Sequence, residues 1–206
     1  MAEKKDLIQL SEFQKAKSLV FMLDDVLYPQ RDYLLQVYYL FSEFMAYTEQ
    51  LDAKAIVGYM RAEYDREGAI DIFSKTALQF GIAEKYRSNF ELLHQTARLP
   101  LKLLLFQKSL DYLKLCSQQD KQIYVIAEGN IDIAINKIKQ IEWHGLEKNL
   151  GLYFTQEFEQ SIDLTLKEII AQKTEKEPPI VLLCTSKTKI DFQDSQVNIF
   201  NIENFF

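Results

Sequence analysis

Short uninterrupted apolar runs alternate along the chain with segments in which apolar residues recur every three or four positions. Residues 19–23 (LVFML), 122–127 (QIYVIA) and 180–184 (IVLLC) are bounded by turn residues and read as strands buried on both faces. Two weaker strand candidates lie at 152–155 and 197–202. Helical patterns separate them. Ile131, Ile135, Ile138 and Ile141 follow Asn130, a residue type suited to capping that helix. Leu166, Ile169 and Ile170 mark another helix, ahead of a charged turn at 173–177 and the Pro178–Pro179 stop. Strands alternating with helices predict an α/β fold, a parallel sheet covered on both faces.

One interval breaks the alternation. Between Pro29 and Pro100 only helical patterns occur. Leu34, Val37, Tyr38, Phe41 and Met45 share one helix face, and Ile56, Tyr59, Met60 and Tyr64 share a second. Further helices are expected over about 71–79, stopped by Gly81, and over about 83–96. The domain organisation this predicts is an α/β core of residues 1–28 and 101–206 with a helical insert at 29–100. The many aromatics of the insert sit at helical spacing, which points to its packed interior rather than a ligand cage.

Composition narrows the function classes. At 206 residues the chain suits one domain carrying an insert. The net charge is −6 and the basic residues are scattered among acids, which argues against nucleic acid as a partner. Cys116 and Cys184, each in an apolar stretch, read as buried thiols in a reducing compartment. Residues 1–6 (MAEKKD) lack an apolar signal core and no run reaches membrane-spanning length, so a cytoplasmic location without membrane contact is expected. His94 and His144 have no Cys or His at ligand spacing and are expected at the surface or at helix ends. Trp143 is expected to pack a helix end. No glycine-rich phosphate loop, GxSxG elbow or zinc spacing occurs.

Ligands of open parallel sheets bind beyond the carboxyl ends of the strands. The first strand ends in LVFMLDDVLY, residues 19–28. This resembles the first motif of the haloacid dehalogenase superfamily, an apolar strand followed by DxDxT and often continuing LDDTLY. Leu23, Asp24, Asp25, Leu27 and Tyr28 carry the match. Residues 123–137 (IYVIAEGNIDIAINK) are similar to the second-motif strand, turn and helix, and residues 136–154 to the segment leading to the third motif. The resemblance implies a three-layer, Rossmann-like core with strand order 5-4-1-2-3, residues 197–202 on one edge, and a helical cap placed after the first strand.

The same resemblance implies a hydrolase site that this chain does not reproduce. Where the superfamily has its aspartate nucleophile and magnesium ligand, this sequence has Met22; only the second acid, Asp24, remains. Ala127 stands for the phosphate-binding Thr or Ser, and Gln160, followed by Ser161, for the neutralising Lys. Thr185 and Lys189 replace the metal-binding acids of the fourth motif, while Ser186 remains. A thioether neither forms an acyl phosphate nor holds a hard cation well. These vestigial positions point to a pseudoenzyme, a hydrolase-like protein without catalytic residues, cofactor or magnesium, acting on an unknown small molecule or protein partner by binding. The alternative is a hydrolase or phosphatase with a rearranged site built on Asp24. Two contacts are also expected: an ion pair between Lys189 and Asp24 in place of the metal, and self-association through the C-terminal edge, where Phe205 and Phe206 extend an apolar tail. Glu128, Gly129 and Asn130 are expected to serve as a structural cap, since Glu128 would repel an anion at that helix start.

Overall fold

A computed structural model of the protein describes residues 13–173 and 178–202. Most of the charged turn at 173–177, together with Phe205 and Phe206, lies outside the described residues. The chain divides into two compact units, one of residues 1–29, 104–134 and 142–206, the other of residues 30–103 and 135–141.

The first unit holds a five-stranded sheet. Its strands are β1 (Ser18–Met22), β2 (Gln122–Ala127), β3 (Leu150–Phe154), β4 (Ile180–Cys184) and β5 (Val197–Asn201). They lie side by side in the order β3-β2-β1-β4-β5, every pair parallel. Numbered along the chain and read from the other edge, this is the expected 5-4-1-2-3. All five residues of β1 and of β4 are buried, which is why β4 reads as an unbroken apolar run and β1 as one after its first residue. Each buried Leu, Val, Ile, Phe or Met side chain among them contributes roughly 1.5–3 kcal/mol on leaving water. Edge strand β3 begins two residues before its expected start. It admits Gly151 opposite Tyr124, where an added Cβ would come within 2.5 Å of the Tyr124 ring.

Among the described residues, three helices of ten or more residues begin in this unit. Gln107–Gln118 has no counterpart in the expected elements. Its buried face is Ser109, Leu110, Leu113 and Cys116, a stripe interrupted by polar residues and too thin to stand out. Ile131–Gln140 starts where expected, with the Asn130 side chain accepting from the Asp132 and Ile133 amides at 2.9 and 3.1 Å. Ile141, placed by periodicity on that helix, instead opens the two-residue strand Ile141–Glu142, which pairs with Leu103–Leu104. Ile162–Ala171 is capped by Ser161, whose hydroxyl oxygen accepts from the Leu164 amide at 3.2 Å. Trp143 is buried just beyond the second of these helices.

The second unit is helical, with Gln30–Glu49, Ala53–Glu67, Ile72–Phe80 and Arg87–Thr96 as its main elements. Phe41, Phe73 and Phe90 form its centre, with ring centroids 5.1–5.8 Å apart. Gly81 ends the third helix with φ 68°, a left-handed conformation that glycine adopts without cost. Residues 135–141, which the sequence pattern assigns to the α/β core, group with this unit. Asn136 donates to the His94 and Ala97 carbonyls, and Gln140 to Ala97.

Candidate functional site

The strand register decides which residues reach the carboxyl end of the sheet together. Met22 is level with Ile126 on β2, and Phe21 with Leu183 on β4. Met22, Ala127 and Thr185 therefore stand within one residue of the same level at the ends of three adjacent strands. Met22 and Ala127 are buried, with 3% and 2% of their surface exposed, so both present apolar groups where a reaction would need polar ones.

Beyond Met22 the chain makes a tight loop, and its residues explain why LDDVLY has that form. The Asp25 amide donates to the Tyr28 carbonyl at 2.9 Å and the Leu27 amide to Leu23 at 3.2 Å. Asp25 takes φ 59°, a conformation aspartate tolerates better than most residues. Val26, Leu27 and Tyr28 turn inward and are essentially fully buried. The start of the helix Gln107–Gln118 fastens the loop: the Ser109 hydroxyl donates to the Val26 carbonyl at 2.6 Å, and the amide of Phe106, just before that helix, to the Leu27 carbonyl at 2.8 Å. Within this loop the Tyr28 hydroxyl donates to Asp24 Oδ1 at 2.6 Å. Asp24 is thus a hydrogen-bond acceptor for a buried phenol.

At the end of β2, Gly129 (φ 82°) turns the chain into the helix Ile131–Gln140. The start of a helix offers unpaired amides to an anion. Here they are already taken. The Gly129 amide donates to Thr155 Oγ1 at 3.3 Å and the Ile131 amide to Gln156 Oε1 at 2.7 Å. The next two donate to Asn130, as described above. Thr155 is buried and its hydroxyl donates to Gln160 Oε1 at 3.3 Å, while Gln160 itself is exposed with φ 59°. A neutral carboxamide at Gln160 carries no charge to neutralise an acyl phosphate.

After β4, Thr185 and Thr188 close a turn, with the Thr188 amide on the Thr185 carbonyl at 3.1 Å and the Thr185 amide on Thr188 Oγ1 at 3.3 Å. Lys189 is exposed. The expected Lys189–Asp24 pair is not formed: among the described residues Lys189 makes no ion pair, and its ammonium remains with water, the usual state of a long lysine on a loop. Among the described residues no group of three or more His, Cys, Asp or Glu is placed to hold a metal ion.

The remaining candidates settle into structure. Cys116 and Cys184 are both buried, and burial pushes the Cys116 thiol up to about 11. His144 is exposed, and His94, expected at the surface or at a helix end, is half-buried at a helix end. It occupies the last turn of its helix, but its ring packs against Phe90 and Tyr33 at 4.8 and 5.8 Å, because its neighbours form the aromatic core of the helical unit. Tyr28, Thr155 and Gln156 are the residues that sequence reasoning left without a role. Tyr28 lies in the quoted motif, but Thr155 and Gln156 bond to residues 25 or 26 positions away and leave no local pattern.

No protein-family model matches the sequence, and no curated protein matches it. Solved structures do resemble it. A hydrolase from Streptococcus pneumoniae TIGR4 aligns with TM-score 0.53 and 9% identity over 93% of this chain and 96% of that one. The HAD-hydrolase YfnB from Bacillus subtilis, solved with magnesium bound, aligns with TM-score 0.53 and 14% identity over 84% of this chain and 79% of its own. At such identities the likeness speaks for the fold. No helix among the described residues is long and apolar enough to cross a membrane.

Proposed function

Starting from a haloacid-dehalogenase-like fold, we propose that the protein is a non-catalytic relative of these hydrolases that acts by binding a small molecule or a protein partner. Met22 is the observation that carries this reading. It stands buried at the end of the central strand, where phosphoryl transfer in this fold needs a carboxylate that is both nucleophile and metal ligand. Magnesium does not suit the residues present: a thioether, one carboxylate hydrogen-bonded to a phenol, a threonine and an exposed lysine supply too few hard oxygens for an octahedral ion. Nucleophile, phosphate-binding hydroxyl, neutralising lysine and metal acids act as a unit, so their joint replacement removes the reaction rather than slowing it.

A panel of phosphate esters, assayed with magnesium on the purified protein, tests the proposal. The expected result is no turnover above the blank. Turnover that tracks the protein through purification would instead favour a site rearranged around Asp24.

A further inference from the structure

We propose that the carboxyl end of the sheet is occupied by the chain's own side chains, which stand where a divalent cation and a phosphate would bind, so that the site takes up neither. This rests on the non-catalytic reading and deepens it by excluding a ligand class. Phosphorylated small molecules do not engage this end of the sheet through their phosphate.

Two independent sets of contacts support it. On the cation side, Asp24 accepts a 2.6 Å hydrogen bond from Tyr28, whose ring is fully buried in a loop closed by four further bonds. A carboxylate that in a metal site is compensated by the ion is compensated here by a phenol that cannot move away. On the anion side, three side-chain oxygens, from Thr155, Gln156 and Asn130, accept from the amides of Gly129, Ile131, Asp132 and Ile133. These are the donors a phosphate would need at that helix start. Two of the three acceptors come from the segment directly after β3, so the end of one strand closes the cradle at the end of its neighbour.

Titration of the full-length protein with manganese alone, followed by water-proton relaxation, and with inorganic phosphate alone, followed by amide chemical shifts, tests both halves. No saturable manganese binding and no movement of the Gly129 and Ile131 amides are expected. With magnesium at about 10 mM the melting temperature should shift by under about 1 °C, where a ligand at about a hundred times its Kd would give about 5 °C or more. Gln156 is exposed, so Gln156→Ala should leave the fold intact while Ile131 exchanges its amide hydrogen at least about threefold faster, the loss of one ordinary hydrogen bond. Unchanged exchange in that variant would overturn the inference, as would saturable manganese binding abolished in Asp24→Asn or saturable phosphate shifts. Metal binding without turnover would sink this inference alone and leave the non-catalytic reading standing. Turnover of phosphate esters would sink the non-catalytic reading and this inference with it.

Discussion

The carboxyl end of the sheet and the interior of the helical unit treat polar groups in opposite ways. At the sheet end, the motif-derived acid and the helix-start amides have short-range partners of their own: Tyr28 for Asp24, and Asn130, Thr155 and Gln156 for the amides. In the helical unit, polar groups sit inside an aromatic core with less compensation. The Tyr38 hydroxyl is buried without a hydrogen-bond partner among the described residues, and burial raises its pKa well above the ordinary phenol value. The Lys137 side chain is buried with its ammonium 5.1 Å from the Tyr33 ring centre, and His94 is held at a pKa of about 4, first by burial and then by the Lys137 charge. Displaced titratable groups are often a signpost to chemistry. Here they mark the packing of a helical core, while at the sheet end Asp24 and the helix-start amides are hydrogen-bonded. The difference implies that the sheet end responds to added charge and the helical unit to pH.

The largest effect is expected from Met22→Asp. It would put a carboxylate at a position with 3% of its surface exposed, with no cation to meet it. A buried charge left without a partner costs about 4 kcal/mol. Urea denaturation should show a loss of that order, and magnesium should not restore it. Stabilisation of the variant by magnesium would mean that the sheet end still assembles a metal site, and the contrast between the two regions would fail.

Next in size is the pH response of the helical unit. The folded pKa of His94 lies near 4, below the ordinary 6.5, so in acid the unfolded chain binds a proton that the folded chain refuses. Its contribution is fully present above pH 6.5 and is lost as pH falls towards 4, by about 3 kcal/mol in all. Because carboxylates also respond to acid, the useful quantity is the difference between wild type and His94→Gln. The variant should lose less stability than wild type between about pH 7 and about pH 4.5. Equal losses would show that the imidazole is solvated and the core less closed than described.

A smaller, pH-independent effect belongs to the sheet. Gly151→Ala brings a Cβ within 2.5 Å of the Tyr124 ring on the neighbouring strand, and the ring must shift to admit it. The expected cost is about 1–2 kcal/mol, the same in neutral and acid solution. A neutral outcome would show that edge strand β3 yields more readily than its register suggests.

Much of the fold was legible because buried parallel strands advertise themselves. β4 is a continuous apolar run, β1 and β2 are apolar after their first residue, and Asn130 and Gly81 mark a helix start and a helix end by their own chemistry. Legibility fell where burial is partial. β3 has no fully buried residue, so its start was misplaced, and the helix Gln107–Gln118 hides its stripe among polar residues. For the candidate positions, placement at the strand ends was legible and the contacts were not. Met22, Ala127 and Thr185 do share the strand ends, yet Lys189 stays in solvent. The oxygens that fill the helix start come from Thr155 and Gln156, which no local spacing connects to residues 129–133. His94 sits in the last turn of its helix as expected, but one of the rings against it, Tyr33, comes from another helix and left no local pattern.

The central claim is that this fold retains its frame without its hydrolytic chemistry. The most direct measurement is release of nitrophenol from nitrophenyl phosphate in the presence of magnesium, followed side by side for wild type, Asp24→Asn and Met22→Asp. The account predicts three traces indistinguishable from the blank, because repairing one position leaves the others unrepaired. Product release by wild type that disappears in Asp24→Asn would contradict it, since Asp24 would then act on substrate rather than accept a hydrogen bond from Tyr28.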